Sequence, residues 1–277
     1  MRFIEDKEVG DLISMPEAID AVREAFVAFG EGQASNLARS RSYCQGSSLS
    51  AMGAVLSYAD VMGAKVYPTI NGRFNFCVNL FSAQTGDLLA VVQGNTLTAL
   101  RASATTVLAA ERLAKPEPTC LALFGSGQQA AAHAHALVSR FHLQKVIVID
   151  PHGSPQALCD AIRARAPAHI QAHVESNVER ALACADVVVT ATRSKEALFN
   201  GTLVRPGTFV AAIGSSKPDT REIDDALLAR CSCIAVEDSM QALVETGDFV
   251  KASHEIKASM KVLDLGFLLT GATSPRI

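Results

Sequence analysis

The sequence of 277 residues contains no tryptophan, and aromatic residues make up only 5% of it. Charged residues account for 19%, give a formal net charge of −3 and form no block of one sign. Because nucleic acids and anionic membranes attract basic patches, neither is an expected partner. Hydrophobic residues make up 49%, a share that predicts a large buried core.

Long apolar segments and regularly spaced cysteines are also lacking. No uncharged apolar run approaches the ~20 residues of a membrane-spanning helix, and the charged first ten residues have no signal-peptide core. The seven cysteines are scattered, and the close pair Cys231 and Cys233 has neither a CxxC spacing nor histidines beside it. We therefore predict free thiols, no metal site and a reducing, cytoplasmic location.

An apolar run that ends in a Gly-x-Gly-x-x-Ala turn is the most informative segment of the chain. An alanine-rich segment follows it, and a second apolar run, residues 145–149, ends at Asp150. This is the layout of a dinucleotide-binding βαβ unit, in which the pyrophosphate lies at a helix N-terminus. A glycine turn in another kind of α/β protein is the alternative. The predicted cofactor-binding residues of the turn are Gly125, Ser126, Gly127, Gln128, Gln129 and Ala130.

Asp150 bears on the choice of cofactor. An acid at this strand end favours the ribose 2′-hydroxyl of NAD and repels the 2′-phosphate of NADP. Residues 151–153 include no arginine that would receive that phosphate. We therefore predict NAD(H), with NADP(H) as the alternative. A later strand end is predicted to line the nicotinamide side of the crevice, or simply to cap its strand: Thr190, Ala191 and Thr192.

The predicted order of strands and helices changes near residues 115–118, which contain two prolines. Before them, consecutive short strands predict a mostly antiparallel sheet with helices at 16–30 and 98–114. After them, strands and helices alternate, which predicts a doubly wound parallel sheet with helices on both faces. We predict an α/β protein with a smaller α+β domain, residues 1–116, and a Rossmann-type domain, residues 117–277. The predicted strands are 49–55, 63–67, 74–82, 88–93, 121–124, 145–149, 187–190, 209–213 and 233–236.

Several segments together resemble the ornithine cyclodeaminase/mu-crystallin family. They follow the family's order over nearly the whole chain: residues 62–66, 85–90, 97–104, 124–130 and 213–224. The resemblance implies a Rossmann domain beside a smaller domain that binds substrate and forms a homodimer. It also implies a nicotinamide cofactor and small α-amino or α-imino acids as substrates.

The resemblance further implies a set of basic site residues. Arg39 resembles the arginine that binds the substrate carboxylate, with Arg41 as a competing assignment, and Arg101 resembles the second carboxylate-binding arginine. Lys65 resembles the active-site lysine. A guanidinium group matches a carboxylate in bidentate geometry, and a lysine beside two arginines has a lowered pKa. Ordinary surface charge is the alternative reading of Arg39 and Arg41.

Residue 216 departs from the cyclodeaminase branch of the family. Cyclodeaminases carry an aspartate there as general base, whereas Ser216 cannot hold that charge. Residues 214–222 are instead similar to the ketimine reductase branch. The resemblance thus implies reduction of Δ1-pyrroline-2-carboxylate or Δ1-piperideine-2-carboxylate to L-proline or L-pipecolate. Lys65 and Ser216 are the expected catalytic residues.

Three other functions stay open at this point. They are an ornithine cyclodeaminase that releases ammonia, an alanine-type amino-acid dehydrogenase, and a non-enzymatic binding protein of the mu-crystallin kind. Family members usually continue past a segment that resembles residues 271–276 and return to the first domain near the nicotinamide. This chain stops at Ile277, so the resemblance leaves closure of the site around the cofactor, and hence activity, open.

Overall fold

A computed structural model describes residues 1–271, and its first sheet contains seven strands. They are β1 (Arg2–Ile4), β2 (Ala34–Cys44), β3 (Ser47–Leu56), β4 (Val61–Ile70), β5 (Arg73–Phe74), β6 (Cys77–Ser82) and β7 (Leu88–Gln93). Their order is β1-β7-β6-β4-β3-β2, with β5 paired to β4. All pairs are antiparallel except β1 with β7, which confirms a mostly antiparallel sheet.

Two tight hairpin turns hold the centre of this sheet in register. Gln45 and Gly46 link β2 to β3 with φ angles of 46° and 80°, and Asn71 and Gly72 link β4 to β5 with 49° and 72°. Positive φ at both central residues is typical of type I′ turns, whose twist matches that of the flanking strands. The first turn therefore fixes the register of β2 against β3, and the second that of β4 against β5.

Three helices accompany the first sheet: α1 (Asp6–Leu12), α2 (Met15–Gly30) and α3 (Asn95–Leu113). Ser14 and Glu17 form a capping box that starts α2. The helices α2 and α3 confirm the predicted ones, whereas α1, β1 and β2 were not predicted. The missed β2 is largely polar, and its order comes from pairing with β3 along its length rather than from an apolar alternation of its own.

The second sheet has five strands in the order β10-β9-β8-β11-β12, all parallel. They are β8 (Cys120–Phe124), β9 (Lys145–Ile149), β10 (Gln171–Val174), β11 (Val187–Thr190) and β12 (Phe209–Ala212). The helices between them are α4 (Gln128–Arg140), α5 (Pro155–Arg165) and α6 (Val178–Cys184), and α7 (Asp225–Arg230) follows β12. Apolar cores lie on both faces. This is the predicted Rossmann-type arrangement, with its switch point between β8 and β11.

The segment after α7 corrects one expectation. Strand β13 (Ile234–Val236) does not join the parallel sheet but pairs with β14 (Val262–Asp264), which follows a run of short helices. Those helices are α8 (Ser239–Glu245), α9 (Gly247–Val250) and α10 (His254–Ser259), and α11 (Leu265–Leu269) comes last. Strand β13 was predicted, but its partner lies beyond residue 257, where the sequence has no clear pattern.

Helix α11 returns to the start of the chain and crosses α2. A Cβ atom on Gly30 would lie 2.9 Å from the backbone carbonyl of Gly266, so both positions need glycine for this approach. The division of the chain at residues 116 and 117 stays a prediction. Residues 272–276 of the family-like segment lie outside the described residues. Within the described part of the chain, no helix is long and apolar enough to cross a membrane.

Candidate active site

The glycine turn after β8 has the geometry that dinucleotide binding requires. Gly125 has φ 106°, donates its N–H to the Ile149 carbonyl, and would place a Cβ 2.7 Å from the Ala191 carbonyl oxygen. A Cβ atom on Gly127 would instead meet no described residue within 4 Å. Ala130 is fully buried, where the helix packs against the sheet. The turn is therefore closed toward the protein and open on the side where a ligand would approach.

The helix that follows this turn offers unpaired N–H groups. Among the described residues, no side chain caps the N-terminus of α4, which begins at Gln128 and runs for 13 residues. Backbone N–H groups and the helix dipole there favour an anion. Together with the open space at Gly127, these groups fit the pyrophosphate of a dinucleotide. Residues 125–130 are thus the part of the chain that would hold it.

Asp150, at the end of β9, is already oriented by its surroundings. Ser126 donates a hydrogen bond to its Oδ2 at 2.7 Å, and the N–H groups of His152 and Gly153 donate to its Oδ1 at 3.0 and 2.9 Å. Partial burial alone would raise the pKa of Asp150, but these hydrogen bonds hold it below its ordinary value. An ionised carboxylate at this strand end suits a ribose hydroxyl and opposes a phosphate.

The threonines at the end of β11 bind a buried acid, Glu222, that sequence reasoning missed. Both oxygens of Glu222 are occupied, by the hydroxyls of Thr190 and Thr192 and by the N–H groups of Thr192 and Gly214, at 2.6–2.8 Å. Burial raises the pKa of Glu222, although these hydrogen bonds oppose the shift. Thr190 is fully buried. The cofactor roles of Thr190, Ala191 and Thr192 stay predictions.

Lys65 lies on the face of the first sheet that also carries Arg39. It stands opposite Met52 in the β3–β4 pairing, and Met52 contacts the Arg39 guanidinium. Burial, followed by the charges of Arg101 and Arg39, lowers the pKa of Lys65 to about 7. Its Nζ lies 4.9 Å from the ring centre of Phe76. The structure therefore brings the predicted lysine and both predicted arginines together.

Each of the predicted arginines contacts a carboxylate from the segment after β13. Arg39 Nη1 lies 2.5 Å from Glu245 Oε1, and Arg41 Nη1 contacts the same oxygen. Arg101 Nη1 lies 2.5 Å from Glu237 Oε1. The side chains of Arg39 and Arg41 are 12% and 13% exposed, so neither is an ordinary surface charge. Sequence reasoning missed both glutamates because their partners lie far away in the chain.

Ser216 lies in the loop after β12, next to these arginines. Its backbone carbonyl accepts a hydrogen bond from Arg41 Nη2 at 3.1 Å, and the residue is exposed. The loop thus joins the carboxyl edge of the parallel sheet to the basic face of the first sheet. Among residues 1–271, no group of three or more histidine, cysteine or acidic side chains is arranged to hold a metal ion.

Comparison with known proteins places this arrangement in a family. The sequence profile of the ornithine cyclodeaminase/mu-crystallin family matches residues 2–276. The chain belongs to this family. The ketimine reductase mu-crystallin of Mus musculus is 30% identical over 231 residues, which cover 81% of this chain and 70% of that protein. The Δ1-pyrroline-2-carboxylate reductase 2 of Burkholderia ambifaria is 33% identical over 210 residues, covering 76% of this chain and 63% of the relative.

Solved structures agree with this membership. A probable ornithine cyclodeaminase from Bordetella pertussis Tohama I has a TM-score of 0.95 at 42% identity, covering 100% of this chain and 88% of that one. The iminosuccinate reductase of Paracoccus denitrificans, in complex with NAD+, has a TM-score of 0.89 at 26% identity, covering 99% and 87%. The predicted family and Rossmann-type fold are confirmed. Both reductases and a probable cyclodeaminase have this family and this fold.

Proposed function

We propose that this family member reduces a small cyclic ketimine, Δ1-pyrroline-2-carboxylate or Δ1-piperideine-2-carboxylate, to L-proline or L-pipecolate with NADH. The observation that carries the proposal is the position of Lys65, which is largely buried beside Arg101 and Arg39. With a pKa of about 7, its ammonium group exchanges a proton near neutral pH. A ring nitrogen that must be protonated before reduction needs such a donor beside it. The similarity to ketimine and pyrroline-2-carboxylate reductases supports this reading.

The cofactor would be held by residues 125–130, with Asp150 at the ribose. NADH, when bound, supplies the hydride that the reaction requires. The Paracoccus relative holds NAD+, and the ionised Asp150 supports NAD(H) over NADP(H) in this chain. The contribution of the protein is to orient the imine, exclude water and keep a proton available at its nitrogen.

Among the arginines, Arg39 is the better candidate for the substrate carboxylate. Its charge acts on Lys65, so the two groups are neighbours, and its Nε is buried with no hydrogen-bond partner among the described residues. Arg41 Nη2 donates to the Ser216 carbonyl, whereas Arg39 Nη2 contacts only the weak acceptor Met52 Sδ among the described residues. We assign Arg39, together with Arg101, to the carboxylate. Lys65 holds the proton at the ring nitrogen, and Ser216 flanks the site.

The competing activity is ornithine cyclodeamination, which the name of the Bordetella structure favours. That reaction needs a base to take a proton from the substrate. Ser216 has no charge for this role, and Glu222, on the same strand connection, is fully buried. Cyclodeamination would therefore require a base other than residue 216. Reduction needs only the proton donor that Lys65 supplies.

We further propose that the first sheet forms a homodimer. The face opposite Lys65 carries Leu37, Leu49 and Val55, whose exposures are 64%, 53% and 40%. An apolar sheet face of this kind is typical of a protein–protein interface. A solved alanine dehydrogenase that is 27% identical to this chain is a dimer.

One assay separates these functions. NADH oxidation is followed with the two cyclic ketimines and with pyruvate plus ammonia, and ammonia release from ornithine is followed without added NADH. We expect oxidation with a cyclic ketimine, at a rate that decreases as the pH rises through about 7 and Lys65 loses its proton. Ammonia release from ornithine would contradict the proposal. Faster turnover of pyruvate would indicate an alanine-type dehydrogenase, and NADH binding without turnover a binding protein.

A further inference from the structure

Two arginines of the site share one buried carboxylate. Glu245 Oε1 contacts Nη1 of both Arg39 and Arg41, and the side chains involved are only 10–13% exposed. Two guanidinium groups this close repel each other strongly where water is scarce. The shared glutamate offsets one of the two charges. One positive charge remains, which is the charge that a substrate carboxylate would neutralise.

Glu245 is itself held in place from several sides. Gln241, one turn earlier in α8, donates from its Nε2 to Oε2 of Glu245 at 2.5 Å. Asp238 caps the start of the same helix by accepting from the Gln241 N–H at 3.1 Å. Asp264, on β14, accepts from the Ser239 N–H at 2.6 Å. The two-stranded sheet β13–β14 therefore anchors the helix that carries Glu245.

The second arginine–glutamate contact of the site differs in burial. Arg101 and Glu237 are 36% and 48% exposed, compared with 12% and 10% for Arg39 and Glu245. Exposed ion pairs contribute little and exchange readily with water or ligands. Removing one partner of a buried pair leaves an uncompensated charge. Glu245 is thus a fixed part of the site, whereas Glu237 is displaceable.

We propose that Glu245 is a positioning residue for the substrate carboxylate. It holds Arg39 beside Lys65 against the repulsion of Arg41, and so keeps Arg39 oriented toward the ligand. This inference rests on the proposed function, in which Arg39 binds the carboxylate. Glu245 itself touches neither substrate nor cofactor. Its loss should therefore weaken binding of the carboxylate more than it slows the chemical step.

The test is a cycle of three variants of the full chain: Glu245→Gln, Arg41→Gln and the double variant. KM and kcat are measured with NADH and Δ1-piperideine-2-carboxylate. Binding of pyrrole-2-carboxylate, a planar carboxylate that is not reduced, is measured by calorimetry on the NADH-loaded protein. Glu255→Gln, an exposed acid on α10, is the matched control.

We expect Glu245→Gln to raise KM and the Kd of pyrrole-2-carboxylate about tenfold, with kcat within about threefold of the parent. NADH affinity should not change. The double variant should bind better than Glu245→Gln, because removing Arg41 also removes the repulsion. Glu245→Asp, which keeps the charge, should fall between the parent and Glu245→Gln, and it replaces Glu245→Gln in the cycle if that variant does not fold.

Two results would overturn the inference. One is unchanged KM and Kd in Glu245→Gln, and the other is a double variant that binds no better than Glu245→Gln. The outcome is separable from that of the proposed function. If the parent reduces no imino acid but binds pyrrole-2-carboxylate, and Glu245→Gln weakens that binding, the proposed reaction fails while the role of Glu245 stands.

Discussion

Burial and two neighbouring guanidinium groups all lower the pKa of Lys65. All three disfavour the charged form, and the pKa falls to about 7 from the ordinary 10.5. A lysine that is buried without a carboxylate in direct contact destabilises the fold as long as it is protonated. The same property makes it a proton donor at neutral pH. Function and stability are therefore opposed at this residue.

This opposition gives a prediction for Lys65→Met. The folded state binds fewer protons than the unfolded state between pH 7 and 10.5, so the lysine costs stability below pH 7 and the cost disappears as the pH rises toward 10.5. We expect Lys65→Met to be more stable than the parent at pH 6, by on the order of 3 kcal/mol. The gain should shrink at pH 9.5. Urea unfolding at the two pH values measures it, and a gain independent of pH would contradict the argument.

Asp150 carries the prediction on cofactor choice. Asp150→Ser removes the charge that opposes a 2′-phosphate, and we expect the ratio of kcat/KM for NADPH to that for NADH to rise at least about tenfold. Ser126 loses its acceptor at the same time, so a modest loss of thermal stability should accompany the change. Asp160→Ser, an exposed acid on α5, is the control. An unchanged ratio would show that Asp150 does not select the cofactor.

At the scale of elements, the ends of β11 and β12 are joined through Glu222. Its carboxylate accepts hydrogen bonds from the residues that follow β11 and from Gly214 after β12. Its own N–H and that of Ile223 donate to the buried Asp248. Glu222 thus holds in place the edge of the parallel sheet where a cofactor would lie, and Asp248 holds Glu222 in place.

Glu222→Ala should therefore destabilise the protein strongly. It leaves several buried donors without an acceptor, and we expect a loss on the order of 3 kcal/mol in the free energy of unfolding. Glu196→Ala, an exposed acid on the loop after β11, should change it by less than about 0.5 kcal/mol. Equal effects of the two substitutions would mean that Glu222 does not hold the strand ends together.

At the scale of the whole molecule, the sheet face opposite Lys65 predicts the assembly state. Leu49→Lys places a charge on that face, where Leu49 is 53% exposed in the single chain. Since a buried unpaired charge is costly, the proposed dimer should dissociate. Size-exclusion chromatography with light scattering should then give a monomer near 29.2 kDa for the variant and about twice that mass for the parent. A parent protein that is already monomeric would contradict the dimer proposal.

The strands of this protein differ in how far the sequence predicts them. Apolar runs and turn residues located most strands of both sheets, because backbone pattern and local turn chemistry are short-range properties. The polar strand β2 escaped, and so did β1, β10 and the partner of β13. Each depends on which strand lies alongside, which no local pattern encodes.

The same division holds at the candidate site. The sequence by itself determined where the glycine turn at Gly125 and the acid at Asp150 lie, because both sit in one local motif, whereas the basic residues were predicted from the family resemblance. The tertiary structure alone decided that Glu245 contacts Arg39, 206 residues away. It also decided that Glu222 accepts hydrogen bonds from the threonines at the end of β11. The first of these contacts requires the return of the chain through β13, α8 and β14. A buried charge needs a partner that is close in space, and that partner need not be close in the sequence. Such pairs are therefore visible only in the folded structure.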